Sequence, residues 1–345
     1  MSFSRAYGWG LFLVLLGLGP TAYGATRTVG ASGADFTTVQ AAITASSNGD
    51  KVQVLPGTYV ENITFNGKSI ILQSTGGASV TTLRGTSTTL TLSNSETSST
   101  VIQGFTITGT STAYALYLSG SSPQILDSIF SGTTGSYTVY AVTGAKPTFI
   151  NVTFQSNTTN THIYGGTAAT RLTFNACTFN GNTTAVAGAA INIDSATLDI
   201  QNSSFVNNST TNSGGALYVS NGQVIVSNST FQGNRGGNGG AIYNTSGTRM
   251  AIQDSRFYGN TATGQGGAFY FTSAYGIYLS DNNILENTAT TNGGAVYTDN
   301  SHMALINNNI TGNTSPLGAG LFVNSTNSIL LLQNIISSQQ TGYGV

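Results

Sequence analysis

The stretch 205–322 reads FVNN at 205–208 and GGALY at 214–218, then FQGN at 231–234 and GGAIY at 239–243. FYGN at 257–260 with GGAFY at 266–270 follows, then ILEN at 284–287 with GGAVY at 293–297. A fading copy, ITGN at 310–313 with GAGLF at 318–322, comes last. Self-similarity at a fixed period marks a repeat architecture in which each unit buries its apolar face only against its neighbours.

Working outward from these copies, one apolar anchor recurs as Phe105, Phe130, Phe154, Phe179, Phe205, Phe231, Phe257, Ile284, Ile310 and Ile336, at gaps of 24 to 27 residues. Each unit holds three short apolar runs split by Gly, Asn, Ser and Thr. One leads into the anchor (VIVSNSTF at 224–231), one starts at it, and one is the GGAxY segment. Runs of that length bounded by turn formers read as strands. Three strands per coil of about 26 residues, stacked at a strand spacing of ~4.8 Å, define an all-β chain built as a parallel β-helix.

Three ladders follow from the register. The anchors, among them Phe154, Phe179, Phe205, Phe231 and Phe257, stack in the core. The aromatic of GGAxY recurs as Tyr117, Tyr140, Tyr164, Tyr218, Tyr243, Tyr270, Tyr297 and Phe322, interrupted by Asn192. Three residues before the anchors from Phe130 on sits Asp127, Asn151, Ala176, Asn202, Asn228, Asp254, Asp281, Asn307 or Gln333. Stacked Asn side chains at that position are expected to pass amide hydrogen bonds from coil to coil. The GGA residues suit a bend that needs φ > 0 or close backbone approach.

Residues 1–24 read as a targeting segment. Arg5 supplies the positive start and 9–18 a short apolar core, and Ala22-Tyr23-Gly24 prepares a cut before Ala25. The apolar run is shorter than the ~20 residues of a membrane-spanning helix. The mature chain is therefore expected outside the cytoplasm. Only 6% of residues are charged and the net charge is −1, which leaves no electrostatic footprint for nucleic acid. The single cysteine, Cys177, excludes an internal disulfide and reads as a packed core thiol. Stability then rests on stacking and backbone hydrogen bonds along the rod.

Residues 26–85 depart from the repeat and read as a cap with the first coils. TTVQAAITAS at 37–46 puts Val39, Ala42 and Ile43 at helical spacing, with Asp35 as the start signal. A short amphipathic helix there covers the open end of the core. KVQVLPGTYVENITF (51–65), KSIILQS (68–74) and TTLRG (81–85) supply strands, with a turn at Pro56-Gly57. The segments 34–43, 49–65 and 81–85 resemble the opening of pectin-lyase-like right-handed β-helix proteins. Pectin methylesterases carry a similar GxYxE segment, matched here by Gly57, Tyr59 and Glu61. The GGA[ILVF] and FxxN motifs of the second half are similar to chlamydial polymorphic outer membrane protein repeats. Together the two resemblances cover about residues 34–336 and imply a right-handed β-helix. They do not choose a function, because this scaffold hosts lyases, hydrolases, esterases, adhesins and inert rods.

The organisation expected is thus a leader at 1–24 and one domain over 25–345. Within it, 25–85 forms the cap and first coils, 86–204 degenerate coils and 205–345 regular ones. The Ser/Thr-rich run 86–101 fits a strand face or a loop. After 336 no alternating ten-residue membrane strands follow, so the chain reads as a free-standing β-helix or a truncated relative of the longer membrane proteins.

Candidate chemistry is sparse. An acidic-polysaccharide lyase needs a base and Ca²⁺-binding carboxylates on one face. Asp254 and Asp281 fall on adjacent coils and offer a candidate Ca²⁺ pair, although they also share the turn-ladder register. Lys146, Arg171, Asp194 and Asp199, on successive coils, are the set whose convergence decides an enzyme reading. The esterase family's QDT-type motif is matched only loosely by QDSRF at 253–257, and LSDNNI at 279–284 lacks its partner pattern. No GxSxG, HExxH, Walker-type or paired Cys/His motif occurs. Thr runs at 158–161 and 288–291 keep no fixed register, as an ice-binding face requires. The Asn-x-Ser/Thr triplets at Asn62, Asn151, Asn157, Asn182, Asn202, Asn208, Asn228, Asn309 and Asn324 reflect turn composition, or glycan acceptors in a eukaryotic secretory host.

The expectation is a monomeric rod, secreted or attached to the outer membrane or cell surface. It is adhesin-like, meets glycans or envelope components, and has no catalytic residues, metal or cofactor. The alternative is a carbohydrate-active enzyme, a polysaccharide lyase or pectin esterase.

Overall fold

A computed structural model describes residues 24–337 apart from 110–112, 159–160, 247–248 and 326–327. The expected leader, save Gly24, lies outside the described residues, as does the segment 338–345.

Short strands wind into a parallel β-helix. Among the described residues its first sheet stacks thirteen strands from Thr26–Val29 to Ser328–Leu332. The anchor sheet stacks twelve, from Gly57–Val60 to Ile335–Ser337, and the tyrosine sheet eleven, from Ile63–Thr64 to Leu321–Asn324. A coil visits the first, anchor and tyrosine sheets in that order. The regular coils add a fourth, two-residue ladder from Thr183–Thr184 to Thr288–Ala289, beyond the three strands expected. It lies between the anchor and tyrosine strands, where FxxN ends and GGA begins.

Alternation along each strand sends every second side chain inward, so the core is a set of columns. Phe130, Phe154, Phe179, Phe205, Phe231, Phe257, Ile284, Ile310 and Ile336 are paired in register down the anchor sheet. Neighbouring rings stack at 4.3 to 5.0 Å with interplanar angles of 1° to 11°. Phe105 is not in this column. Phe130 pairs with Ile107, which continues through Leu83 to Tyr59. Gly104 takes the left-handed turn in that coil (φ +79°), and Phe105 points inward from the turn, where the next coil has Ser128.

The asparagine ladder also lies elsewhere than expected. Asn202, Asn228 and Asn307 are exposed turn residues with φ of 52°, 47° and 55°. A short polar side chain is tolerated in that backbone conformation, which is why the position alternates among Asn, Asp, Ala and Gln. Local pairs do form there, from Asn202 to Asn175 Oδ1 (2.9 Å) and from Asn307 to Asp281 Oδ1 (2.6 Å). The longest buried ladder is the N of FxxN: Asn157, Asn182, Asn208, Asn234, Asn260, Asn287 and Asn313, and a shorter ladder, Asn282, Asn308 and Asn334, lies two residues before the last anchors. From Asn157 to Asn287, each Nδ2 donates to the next Oδ1 at 2.9–3.0 Å. The same Nδ2 also donates to an anchor-residue carbonyl of the preceding coil, as Asn234 does to Phe205 O at 2.9 Å.

Glycine is obligatory in the GGA bend. A Cβ on Gly240 would lie 2.1 Å from Gly267 O, and one on Gly266, at φ +69°, 2.2 Å from Phe269 O.

The cap is a helix over Val39–Ala45 with Val39, Ala42 and Ile43 buried. Thr38, not Asp35, caps it: Thr38 Oγ1 accepts from Ala41 N at 3.3 Å. Asp35 instead accepts from the Thr28 backbone and hydroxyl at 2.8 and 2.9 Å. Glu61 completes the helix start, its two oxygens each accepting at 2.9 Å, from Val39 N and Gln40 N. Tyr59 closes the core column and donates to Leu55 O at 2.9 Å. The GxYxE segment thus holds the cap on the first coil.

Candidate functional site

The tyrosine sheet turns its aromatic column outward. In IYNT (Ile242–Thr245), Ile242 and Asn244 are buried while Tyr243 and Thr245 are half-buried. Tyr218, Tyr243, Tyr270 and Tyr297 stack in sequence at 5.2, 4.8 and 4.7 Å, each pair within 8° of parallel. Their flanks pack against neighbouring coils, and burial pushes the Tyr270 phenol up to about 12. Met250 Sδ lies 3.9 Å from the Asn244 amide directly beneath.

The column widens in the earlier coils. Tyr114–Ser119 and Tyr137–Val142 each carry two outward tyrosines, because the strand bends at the buried pairs Ala115-Leu116 and Thr138-Val139. With Tyr164 they make a cluster of five. Tyr114 stacks on Tyr140 (5.2 Å, 23°), and Tyr140 on both Tyr117 (6.0 Å, 9°) and Tyr164 (5.2 Å, 17°). Tyr137 tilts against Tyr140 at 4.8 Å. All five are half-buried and ordered against one another. Such a surface presents ring edges and phenolic hydroxyls at little further entropy cost on binding. Sequence reasoning found Tyr117, Tyr140 and Tyr164 but missed Tyr114 and Tyr137. The repeated YxxY spacing was the signal, and simple alternation hides it.

The candidate enzyme set divides. Lys146 and Arg171 lie at the edge of the first sheet, and the Arg171 Nε donates to Asp199 Oδ2 at 2.5 Å on that face. Burial raises the Asp199 carboxyl, with Arg171 opposing the shift. Asp194 instead ends a tyrosine-sheet strand and is exposed beyond the corner. Asp254 and Asp281 both line a shallow depression of about 430 Å³ with Asn228, Arg256 and Asn283. No group of three or more His, Cys, Asp or Glu suited to a metal occurs among the described residues. Cys177 is buried, its Sγ 3.4 Å from Phe149 O, and burial pushes the thiol up to about 11. His162 is buried inside the tyrosine sheet with Nε2 3.0 Å from Thr183 O, and burial lowers its pKa to about 4.

A parallel coil of this kind, with outward tyrosines and inward asparagines, defines a β-helix repeat protein. The family model described as a right-handed β-helix region matches residues 88–257. The model described as the Chlamydia polymorphic membrane protein repeat matches residues 254–272 and 283–299. No curated protein matches the sequence. Among solved structures, the catalytic unit of a thermostable GH87 α-1,3-glucanase from Streptomyces thermodiastaticus strain HF3-3 is similar. It is 13% identical with a TM-score of 0.52, and the match covers 88% of this chain and 66% of the glucanase. That likeness is one of fold. An alginate lyase from Paenibacillus sp. str. FPU-7 (11% identity, TM-score 0.30) covers 92% of this chain and 98% of its own. A pectin methylesterase from Aspergillus niger (14%, TM-score 0.22) covers 94% and 91%.

Proposed function

We propose that this chain is a secreted or cell-surface β-helical repeat protein that binds glycans through its outward tyrosine face and does not catalyse their cleavage. The observation that carries the reading is the five-tyrosine cluster of Tyr114, Tyr117, Tyr137, Tyr140 and Tyr164, packed ring on ring on the outside of a rigid sheet. Ring edges held in place by their neighbours meet the C–H groups of a sugar, and phenols and nearby amides meet its hydroxyls. The polymorphic membrane protein repeats support display at a membrane or cell surface. The division of Lys146, Arg171 and Asp199 from Asp194 supports binding over lyase or esterase chemistry, which needs them on one groove.

The test is a glycan array probed with the full chain and with the Tyr114→Ser/Tyr137→Ser/Tyr140→Ser variant, alongside surface labelling of intact producing cells. Binding that the triple variant loses while remaining folded is the expected result. An array silent for the parent chain, or product release from any bound glycan, overturns the reading.

A further inference from the structure

The outward aromatic column is broken once. Tyr164 pairs in register with Asn192, and Asn192 with Tyr218, so two ring-bearing coils stand two steps apart with an amide between them. A pitch of ~4.8 Å per coil separates those rings by about 9.6 Å. Where the column is continuous, ring centroids lie 4.7–6.0 Å apart. One further flat ring therefore fits midway at an ordinary stacking distance from both faces. The rings bounding the gap keep the orientation of the stack, since Tyr164 is 17° from Tyr140 and Tyr218 is 6° from Tyr243.

Asn192 brings no ring to the gap. Its Nδ2 donates to Ala187 O at 3.1 Å, tying the side chain to its own coil. Asp194, two residues on, is exposed on the same face and accepts from the Ser195 hydroxyl at 3.1 Å. It takes part in neither of the salt bridges found among the described residues. Its register partner is Gly166, over which the Tyr164 ring lies: a Cβ there would sit 2.6 Å from Tyr164 Cε1. No side chain at Gly166 screens the ring from the carboxylate. Asp194 also acts on both bounding phenols, which burial first, and then its charge, push up.

We propose that the slot between Tyr164 and Tyr218 holds one pyranose ring of a neutral glycan, its hydroxyls taken by Asp194 and Asn192. The proposal rests on the glycan reading of this face and names the subsite and the sugar class. A saturated ring offers C–H groups to the two π faces and a rim of hydroxyl donors to the carboxylate. A uronate does not fit, because its carboxylate meets both Asp194 and the negative faces of the tyrosines.

Isothermal titration of the full chain with neutral hexasaccharides of glucose, galactose and mannose, and with oligogalacturonate, tests this. Asn192→Tyr completes the ring stack, so it keeps the fold while occupying the slot. Its affinity for the neutral oligosaccharide falls by about tenfold or more and its thermal midpoint rises. Asp194→Asn weakens neutral binding and narrows the discrimination against oligogalacturonate. If Asn192→Tyr binds as the parent does while the triple tyrosine variant does not, the slot is overturned and the glycan-binding face stands. Preference for oligogalacturonate, or for an arginine-rich peptide added as a control, also overturns the slot. Failure of the parent to bind any glycan overturns both.

Discussion

Asn208 and Asn234 are joined twice: the backbone N–H and the side-chain Nδ2 of Asn208 both donate to Asn234 Oδ1, each at 3.0 Å. Asn234 in turn donates to Asn260 Oδ1 and Phe205 O. Replacing Asn234 with Ala removes the acceptor of the Asn208 N–H and of one Asn208 amide hydrogen in a buried site, leaving that amide only its bond to Phe179 O. At ~1–3 kcal/mol for a stranded group, partly relieved by relaxation, the variant loses about 3–5 kcal/mol. Asn228→Ala, in the exposed turn, costs only the left-handed backbone preference, about 1 kcal/mol. Urea midpoints of the two variants check the contrast, and equal losses would sink this assignment of the ladder.

Phe231 is fully buried between Phe205 at 4.4 Å and Phe257 at 4.7 Å. Phe231→Ala opens a cavity that the flanking rings cannot close without shifting two coils, and it costs about 3–5 kcal/mol. Phe231→Leu, which keeps much of the volume, costs less than half as much. Thermal denaturation of the pair reads the difference, and an unchanged midpoint for the alanine variant would contradict the register.

The same columns explain what the sequence discloses and what it hides. Anchors such as Phe205 and Phe257 are legible because a core column needs a large apolar side chain at a fixed interval. The GGA glycines are legible because no other residue clears the carbonyl of the next coil. The asparagine ladder is not, because every coil has two asparagine-rich positions, one before the anchor and one after. Only the turn geometry decides which points inward: the left-handed residue at Asn228 throws its side chain out, while Asn234 turns in. Phe105 misleads for a related reason, since Gly104 replaces the usual polar turn residue and brings an aromatic into the turn. On the outer face, Tyr114 and Tyr137 escape a period-two reading because the bend after each lets residues three apart share one side.

Cys177 lies inside the turn column between Val152 and Ser203, its thiol pushed up to about 11 by burial. The thiolate is the reactive form, so a buried thiol of this kind is inert at neutral pH. Iodoacetamide followed by intact-mass measurement should leave the folded chain unmodified and add one adduct in urea. Rapid labelling of the folded protein would place the thiol outside the core.

Asn157, Asn182 and Asn208 begin Asn-x-Ser/Thr triplets but are fully buried in the amide ladder, whereas Asn151, Asn202 and Asn228 begin triplets from exposed turns. Expressed through a eukaryotic secretory pathway, the folded chain should carry glycans only at exposed positions of this kind. Peptide mapping after glycan removal checks it. Occupancy at Asn182 or Asn208 would mean that modification precedes winding of those coils.

His162 occupies the place that later coils give to the GGA alanines, Ala216, Ala241, Ala268 and Ala295, all fully buried. Burial lowers its pKa from 6.5 to about 4, so the unfolded chain takes up the proton first as the pH falls. Stability is therefore fully present above 6.5 and is lost as the pH drops toward 4. The difference between the two pKa values corresponds to about 3 kcal/mol at the acid end of that window. His162→Ala puts the column's usual residue in place and removes this dependence. Asp35 and Asp50, whose carboxyls are lowered chiefly by the backbone N–H groups of Thr28 and Ser47, contribute equally to parent and variant and cancel in the comparison. Urea titrations of both chains between about pH 7.5 and about pH 4.5 should show the parent losing stability relative to His162→Ala. Parallel pH profiles would mean that the His162 ring is not held neutral in the core.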